Sequence, residues 1–230
     1  MIIAVTGTNT DVGKTVATAA IASVLAQRGV DVVAAKPIQT GEAPGHGDAS
    51  TVARLAGVAT FERWRYPEPL APNLAARRAG VATPTLEEVT DWVRSLDAPE
   101  RVVLVEGAGG LLVRLADDYT LADIAQALKA PVVVVTSLGL GSLNLAELTC
   151  VQARAMGLDV LGLIGGAMPE HPDLATRLNV AELPCVTGTP YWGHLPVNCG
   201  GLDPQQFAAT AWEAIGEAVT EAITEAINPQ

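Results

Sequence analysis

The stretch Gly7-Thr8-Asn9-Thr10-Asp11-Val12-Gly13-Lys14-Thr15 follows the apolar run Ile2–Thr6 and opens the alanine-rich segment Lys14–Arg28. A strand, a glycine-bearing turn and a helix in that order bring backbone N–H groups and a helix N-terminus together around an anion. The standard phosphate loop places four residues between its glycines, whereas five separate Gly7 from Gly13, so the loop is a variant. In such a loop Lys14 would neutralise the β- and γ-phosphates and the Thr15 hydroxyl would ligate Mg²⁺. The alternative is a chance strand–turn–helix that happens to contain Gly-Lys-Thr.

Outward from the loop the same rhythm repeats. Asp31–Lys36, Arg101–Glu106, Ala130–Thr136 and Val160–Gly165 are nearly continuously apolar, as strands buried on both faces of a parallel sheet are. Ala49–Ala56, Leu86–Leu96, Leu121–Leu128, Ser142–Met156 and Pro204–Ile227 read as helices, and Gly29 and Gly157 suit left-handed C-terminal caps. Alternation of this kind predicts an α/β fold, a doubly wound, mostly parallel sheet of the P-loop NTPase-like type in a single domain, 1–230. Ligands in such folds sit beyond the carboxyl ends of the strands. Two proline-bearing stretches break the rhythm, Arg63–Thr85, expected to be a long ordered loop or lid, and Pro169–Gly201, expected to be irregular. In the last helix Glu213, Glu217, Glu221 and Glu225 form a solvated face opposite Phe207, Ala211, Ile215, Val219, Ala222 and Ile223.

With 49% hydrophobic and 17% charged residues over 230 positions, the chain can bury a sizeable core and is not a disordered one. The formal net charge of −11 argues against a general nucleic-acid or acidic-membrane binder. No apolar run reaches the length of a membrane span, and MIIAVTG starts in strand-like fashion without the zones of a signal peptide, so a cytoplasmic protein is expected. Three scattered cysteines, Cys150, Cys185 and Cys199, suit neither a disulfide scaffold nor a zinc site.

The chain has only three lysines, Lys14, Lys36 and Lys129. Lys36 ends its strand in Lys36-Pro37-Ile38-Gln39-Thr40-Gly41, where Pro37 is expected to stop the strand. Its ammonium would lie on the phosphate edge of the sheet and stabilise a moving phosphoryl group; taken alone, it also reads as a strand-end lysine reaching into solvent. Glu106, ahead of Gly107-Ala108-Gly109-Gly110, suits a metal-side carboxylate with close backbone approach to a ligand. Asp48 opens a helix, either as a simple N-cap or as a further metal oxygen beside Thr15 and Glu106.

Together these segments resemble dethiobiotin synthetase over nearly the whole chain. The resemblance rests on the GTNTDVGKT loop, Lys36-Pro-x-x-Thr40-Gly, Gly47-Asp48, Ala71-Pro72, Val105-Glu106-Gly-Ala-Gly-Gly110 and Ser137-Leu-Gly-Leu-Gly-Ser-Leu-Asn144. It implies a homodimeric, Mg²⁺-dependent ligase that joins diaminopelargonic acid and carbon dioxide with a nucleoside triphosphate, ATP by default. The route runs through a carbamate and a carbamic–phosphoric mixed anhydride. It further implies that Lys36 and Lys14 are catalytic, and that Thr10, Asp11, Lys36 and Thr40 meet the diamine. Gly141, Ser142, Leu143 and Asn144 would hold its distal carboxylate from the partner subunit, although they also read as an ordinary helix start. The nucleotide would meet Asp11, Val12, Gly13, Lys14, Thr15, Val16, Asp48, Glu106, Gly107, Ala108 and Gly109, and at its base end Gly165, Gly166, Pro196, Val197 and Asn198. The metal would fall to Thr15, Asp48 and Glu106.

The family often carries an asparagine after the fifth strand of this pattern that reads the adenine edge; here the segment is Ile164-Gly165-Gly166-Ala167-Met168-Pro169. Weaker base discrimination is therefore expected. A rival reading, a nucleotide-switch ATPase of the partitioning or septum-positioning type, would often bring an extra lysine early in the loop, and for membrane-directed members a basic amphipathic tail; Val5–Thr10 has no lysine and the tail is acidic. The glutamine-dependent synthetases of cobalamin biosynthesis need an added glutaminase domain for which the chain is too short. His46, His171 and His194 lack metal-ligand spacing, and Trp64, Trp92, Trp192 and Trp212 read as packing residues, with Trp192 nearest the base loop.

Overall fold

The computed structural model describes residues 1–227, apart from the side chains of Glu225 and Ile227. The chain alternates β1 (Ile2–Gly7), α1 (Lys14–Gln27), β2 (Asp31–Thr40), α2 (Asp48–Ala56), β3 (Ala59–Tyr66), α3 (Pro72–Ala79), α4 (Leu86–Leu96), β4 (Arg101–Gly110) and α5 (Leu121–Leu128). It continues through β5 (Val132–Thr136), α6 (Ser142–Ala155), β6 (Val160–Met168), α7 (Leu174–Thr187), β7 (Tyr191–Pro196), a 3₁₀ turn at Cys199–Gly201 and α8 (Pro204–Ile227). The seven strands among the described residues form one sheet in the order β3-β2-β4-β1-β5-β6-β7, and every neighbouring pair is parallel. The sheet is thus wholly parallel, with β1 at its centre between β4 and β5.

Alternating side chains assign the two faces. Ile3, Val5, Val102, Leu104, Val133 and Val135 pack with α1, α2 and α8, whereas Val33, Ala35, Val103 and Val105 face α3, α4 and α5. Ala4, Val132 and Val134 continue the second face under α6 and α7. Helix α1 is buried from Ala17 to Leu25 because sheet, α2 and α8 surround it, so it carries no polar stripe. Along α8 the expected apolar face is buried at Phe207, Ala211, Ile215, Val219 and Ile223, and Glu213, Glu217 and Glu221 are exposed; the side chain of Glu225 lies outside the described residues. No described helix is long and apolar enough to cross a membrane.

Three expectations need correction. Arg63–Thr85 is not a continuous loop, for it contains the end of edge strand β3 and all of α3, which starts with Pro72 in its first turn. Pro169–Gly201 holds α7 and the other edge strand, β7. Nor does Pro37 end β2, which runs on to Thr40. Pairing of β2 with β4 ends at Ala35, while pairing with β3 resumes at Ile38, so the missing N–H at Pro37 falls where the ladder has already opened.

Candidate active site

The carboxyl ends of β1, β2 and β4 meet at one cavity of about 860 Å³. The loop after β1 forms its floor. Asp11 and Gly13 take left-handed backbone, with φ of 58° and 92°. A Cβ on Gly13 would come within 2.8 Å of the Gly166 carbonyl oxygen, and one on Gly166 within 1.6 Å of the Val12 carbonyl oxygen. Both positions therefore need glycine for the loop to seat against the end of β6. Lys14 folds back and donates to the Asn9 carbonyl oxygen at 3.1 Å.

Four side chains from four elements converge at the head of this loop. Lys36 Nζ lies 2.5 Å from Asp48 Oδ2 and 3.1 Å from Glu106 Oε1, and donates to the Gly107 carbonyl at 2.7 Å. Three acceptors thus match the three N–H donors of the ammonium. Thr15 Oγ1 lies 2.9 Å from both Asp48 Oδ1 and Glu106 Oε1 and donates to one at a time. Lys36 and Glu106 are buried, each under 5% exposed. Burial would lower the Lys36 pKa, but Glu106 and Asp48 outweigh it and hold the ammonium above its ordinary range. Burial would raise Asp48, and the adjacent Lys36 charge reverses that, so Asp48 titrates below the usual carboxylate range. Glu106 is pushed up, chiefly by burial. Burial and the neighbouring Lys36 charge together lower Lys14. Such a network costs desolvation and contributes little net stability, so its geometry is better understood as serving chemistry.

The hydroxyl of Thr15 and the carboxylates of Asp48 and Glu106 offer an oxygen-only donor set, which fits a hard cation such as Mg²⁺. No group of three or more His, Cys, Asp or Glu that could hold a metal occurs among the described residues. Phosphate oxygens and water would have to complete the shell, as is usual for magnesium.

Thr10, Asp11, Gly13, Lys14, Thr15, Val16, Lys36, Thr40, Asp48, Glu106, Ala108 and Gly109 all line the cavity. Val12 is buried beneath the loop, and Gly107 takes part through its carbonyl, its α-carbon packing on Leu121. A second cavity of about 420 Å³ adjoins past Asp11, Gly13 and Val16 and is bounded by Gly166, Ala167, Pro196 and Asn198–Gly201. Gly165 and Val197 line neither: Gly165 packs under Tyr191, Leu138 and His194, and Val197 is exposed, its N–H bonded to the Met168 carbonyl. Gly141–Asn144 opens α6 away from both cavities, with Ser142 buried and its hydroxyl accepting from Asn179 Nδ2 at 3.3 Å. Trp192 packs over Gly162 in the core, and His46 sits on an exposed turn.

Several lining residues were given no role by the sequence, although Pro72 belongs to the Ala71-Pro72 segment of the family resemblance. Pro69, Leu70, Pro72 and Val113 build an apolar wall, and Glu42 stands at the rim. Gln39 accepts from the Asp48 N–H at 3.0 Å and so fixes the start of α2. Gln39 had no signal of its own beyond its place in the Lys36–Gly41 segment, and the apolar wall only that of Ala71-Pro72, because loops around an opening meet only in three dimensions.

A parallel sheet with a phosphate loop after its central strand, and a lysine and two carboxylates at the head of that loop, defines a P-loop NTPase-like α/β protein. In keeping with this, the MinC:MinD cell division protein complex of Aquifex aeolicus superposes with a TM-score of 0.59, covering 100% of this chain and 98% of that one, at 15% identity. That likeness is one of fold. A family model described as an AAA domain matches residues 2–203. The ATP-dependent dethiobiotin synthetase of Corynebacterium diphtheriae is 56% identical over 206 residues, 90% of this chain and 93% of that protein. The enzyme of the same name from Streptomyces coelicolor is 50% identical over 213 residues, 91% of this chain and 90% of that protein. The chain belongs to the dethiobiotin synthetase family, and is a ligase.

Proposed function

We propose that this enzyme closes the ureido ring of dethiobiotin from diaminopelargonic acid, carbon dioxide and ATP. The observation that carries the reading is the convergence of Lys36, Thr15, Asp48 and Glu106 at the head of the phosphate loop, in a cavity whose far wall is apolar. A carbamate is a poor electrophile. One amine of the diamine captures carbon dioxide, and a carbamate oxygen attacks the γ-phosphorus while the bond to the β-phosphate oxygen breaks and ADP leaves. The second amine then attacks the activated carbonyl carbon and expels phosphate.

The loop amides and Lys14 hold the β- and γ-phosphates, and Thr15, Asp48 and Glu106 would hold Mg²⁺, whose charge offsets that of the phosphates. Lys36 meets the carbamate and the moving phosphoryl group by exchanging one of its three acceptors. Thr10, Asp11 and Thr40 orient the diamine, and placement of this kind supplies most of the rate in phosphoryl transfer.

The second cavity takes the nucleoside. Its lining includes one side-chain amide, Asn198, so backbone groups carry most of the base contact and discrimination is relaxed. The working form is a homodimer. Leu148 and Val151 on α6 and Leu174 and Leu178 on α7 are exposed apolar residues on packed neighbouring helices, and Leu140 is 94% exposed beside Gly141–Asn144. A second copy there would cover this face and bring Gly141–Asn144 to the distal carboxylate of its neighbour's substrate. The free cysteines suit a reducing cytoplasm.

The test is phosphate release with Mg²⁺–ATP and bicarbonate, with and without the diamine, and the product mass. Diamine-dependent release with the mass of a cyclic urea is expected. Release indifferent to the diamine would move the chain to a nucleotide-switch role.

A further inference from the structure

The loop Gly41–Gly47 connects Thr40 to Asp48, both of which line the main cavity. Its glycines at 41, 45 and 47 all have positive φ, at 78°, 83° and 123°, so its backbone has much freedom to lose. Inside the loop one backbone hydrogen bond closes, from the His46 N–H to the Ala43 carbonyl. The remaining order comes from outside. Ser50 Oγ donates to the Gly45 carbonyl and Thr51 Oγ1 to the Gly47 carbonyl, both at 3.0 Å.

Three more of the loop's carbonyls, those of Glu42, Ala43 and His46, go to one side chain, Arg65 of β3. Its Nη1 donates to the Glu42 carbonyl at 2.7 Å and the Ala43 carbonyl at 2.9 Å, and its Nη2 to the His46 carbonyl at 2.8 Å. Its Nε and Nη2 also grip both oxygens of Glu62, at 2.7 and 2.6 Å. Five N–H donors meet five acceptors, so the guanidinium is fully used and its plane is fixed. Lysine offers three donors and no plane. Glu62 and Arg65 sit on edge strand β3, outside both cavities.

We infer that Arg65, oriented by Glu62, is a positioning residue that holds Asp48 in register with Thr15 and Glu106 by pinning the carbonyls of the Gly41–Gly47 loop. The inference rests on the reading of Asp48 as part of the metal-supported phosphate site. With the pin removed, Asp48 keeps its own bonds to Gln39, Lys36 and Thr15, but the glycine-bearing loop that leads into it loses three of its anchors. Asp48 is then held less firmly, and small displacements of this kind cost rate steeply.

The test compares Arg65→Ala and Arg65→Lys with wild type, and Glu62→Gln serves if the first two do not fold. Calorimetry reads ADP binding with and without Mg²⁺, and kcat is read separately. Metal-free ADP affinity is expected to stay within about threefold of wild type. The Mg²⁺ concentration for half-maximal support of binding should rise, and kcat fall, roughly 10- to 100-fold in both Arg65 variants and less in Glu62→Gln. Millimolar guanidinium chloride, but not sodium chloride, should restore part of the metal response of Arg65→Ala. Wild-type metal dependence and kcat in whichever variants fold would overturn the inference. So would equal loss of metal-free and metal-supported binding without guanidinium rescue. Because ADP binding is read without the diamine, failure of the ligase reading would appear separately, as missing diamine-dependent phosphate release in the wild type.

Discussion

The two cavities that meet at Asp11 and Gly13 are built on opposite plans. The larger is organised by side-chain charge, with two lysines and two carboxylates from four elements held by contacts of 2.5–3.1 Å. The smaller is organised by backbone: four of its ten lining residues are glycine and one side chain, Asp11, is charged. Charge that must follow a moving phosphoryl group has to come from fixed side chains, because a preorganised dipole or ion acts without rearranging during the reaction. A nucleoside that only needs shelter can be held by close-packed backbone. The chemistry end should therefore be sensitive to the loss of a group, and the nucleoside end to the addition of one.

The largest effect is expected at the charged end. Lys36→Ala should lower turnover roughly 10²–10³-fold, in the range for loss of one charge-stabilising donor, while ADP still binds. Loss of nucleotide affinity in a folded Lys36→Ala protein would assign Lys36 to binding and blur the contrast. Next is addition at the backbone-built end. In Gly166→Ala the new Cβ would lie 1.6 Å from the Val12 carbonyl oxygen, a clash of backbone against side chain that nothing flexible can relieve. An overpacking cost of about 1–3 kcal/mol is expected, read as a lower thermal midpoint together with weaker ADP binding. Gly201→Ala, with no heavy atom within 4 Å of its Cβ, should shift stability by less than about 0.5 kcal/mol. Equal effects of the two would show that the loop–β6 contact is not tight.

Base choice is a smaller effect. With Asn198 as its one amide, the smaller cavity, in the proposed role of nucleoside site, should give kcat/KM values for ATP, GTP and CTP within about tenfold of one another, one hydrogen bond's worth. Strict ATP dependence would show that side chains do read the base. The smallest effect concerns His194, partly buried on β7 with Nδ1 unpartnered, whose pKa burial lowers. The folded state then binds fewer protons than the unfolded one. Stability is full above the unfolded pKa, about 6.5, and falls as pH drops below it. Melting between pH 7.5 and 5.5 should show a slightly steeper acid loss for wild type than for His194→Gln.

The same contrast explains what the sequence revealed. β1, β4 and β5, covered on both faces, are continuous apolar runs and were legible as strands. β3 reads Ala-Thr-Phe-Glu-Arg-Trp-Arg-Tyr because an edge strand shows half its surface to solvent, and Phe61 is itself 38% exposed. β7 carries a glycine and ends in proline, as an edge permits. The charged site was legible as well, since Lys14 and Asp48 open helices directly after Gly13 and Gly47, Glu106 precedes Gly107, and Lys36 closes an apolar run ahead of Pro37. Arg65 was not, because its role lies in reaching carbonyls 19 to 23 residues away along the chain. Backbone acceptors leave no residue-type signal.

The most direct test of the central claim, that the charged cluster serves phosphoryl transfer to a carbamate, is an oxygen-tracing experiment. Enzyme, Mg²⁺–ATP and diaminopelargonic acid are mixed with ¹⁸O-labelled carbon dioxide and quenched before the label exchanges with water, and the released phosphate is analysed by mass. One labelled oxygen per phosphate is expected, since the carbamate oxygen that attacks the γ-phosphorus leaves with it when the ring closes. Phosphate with no label from carbon dioxide would mean that water or another acceptor takes the phosphoryl group, and would contradict the account.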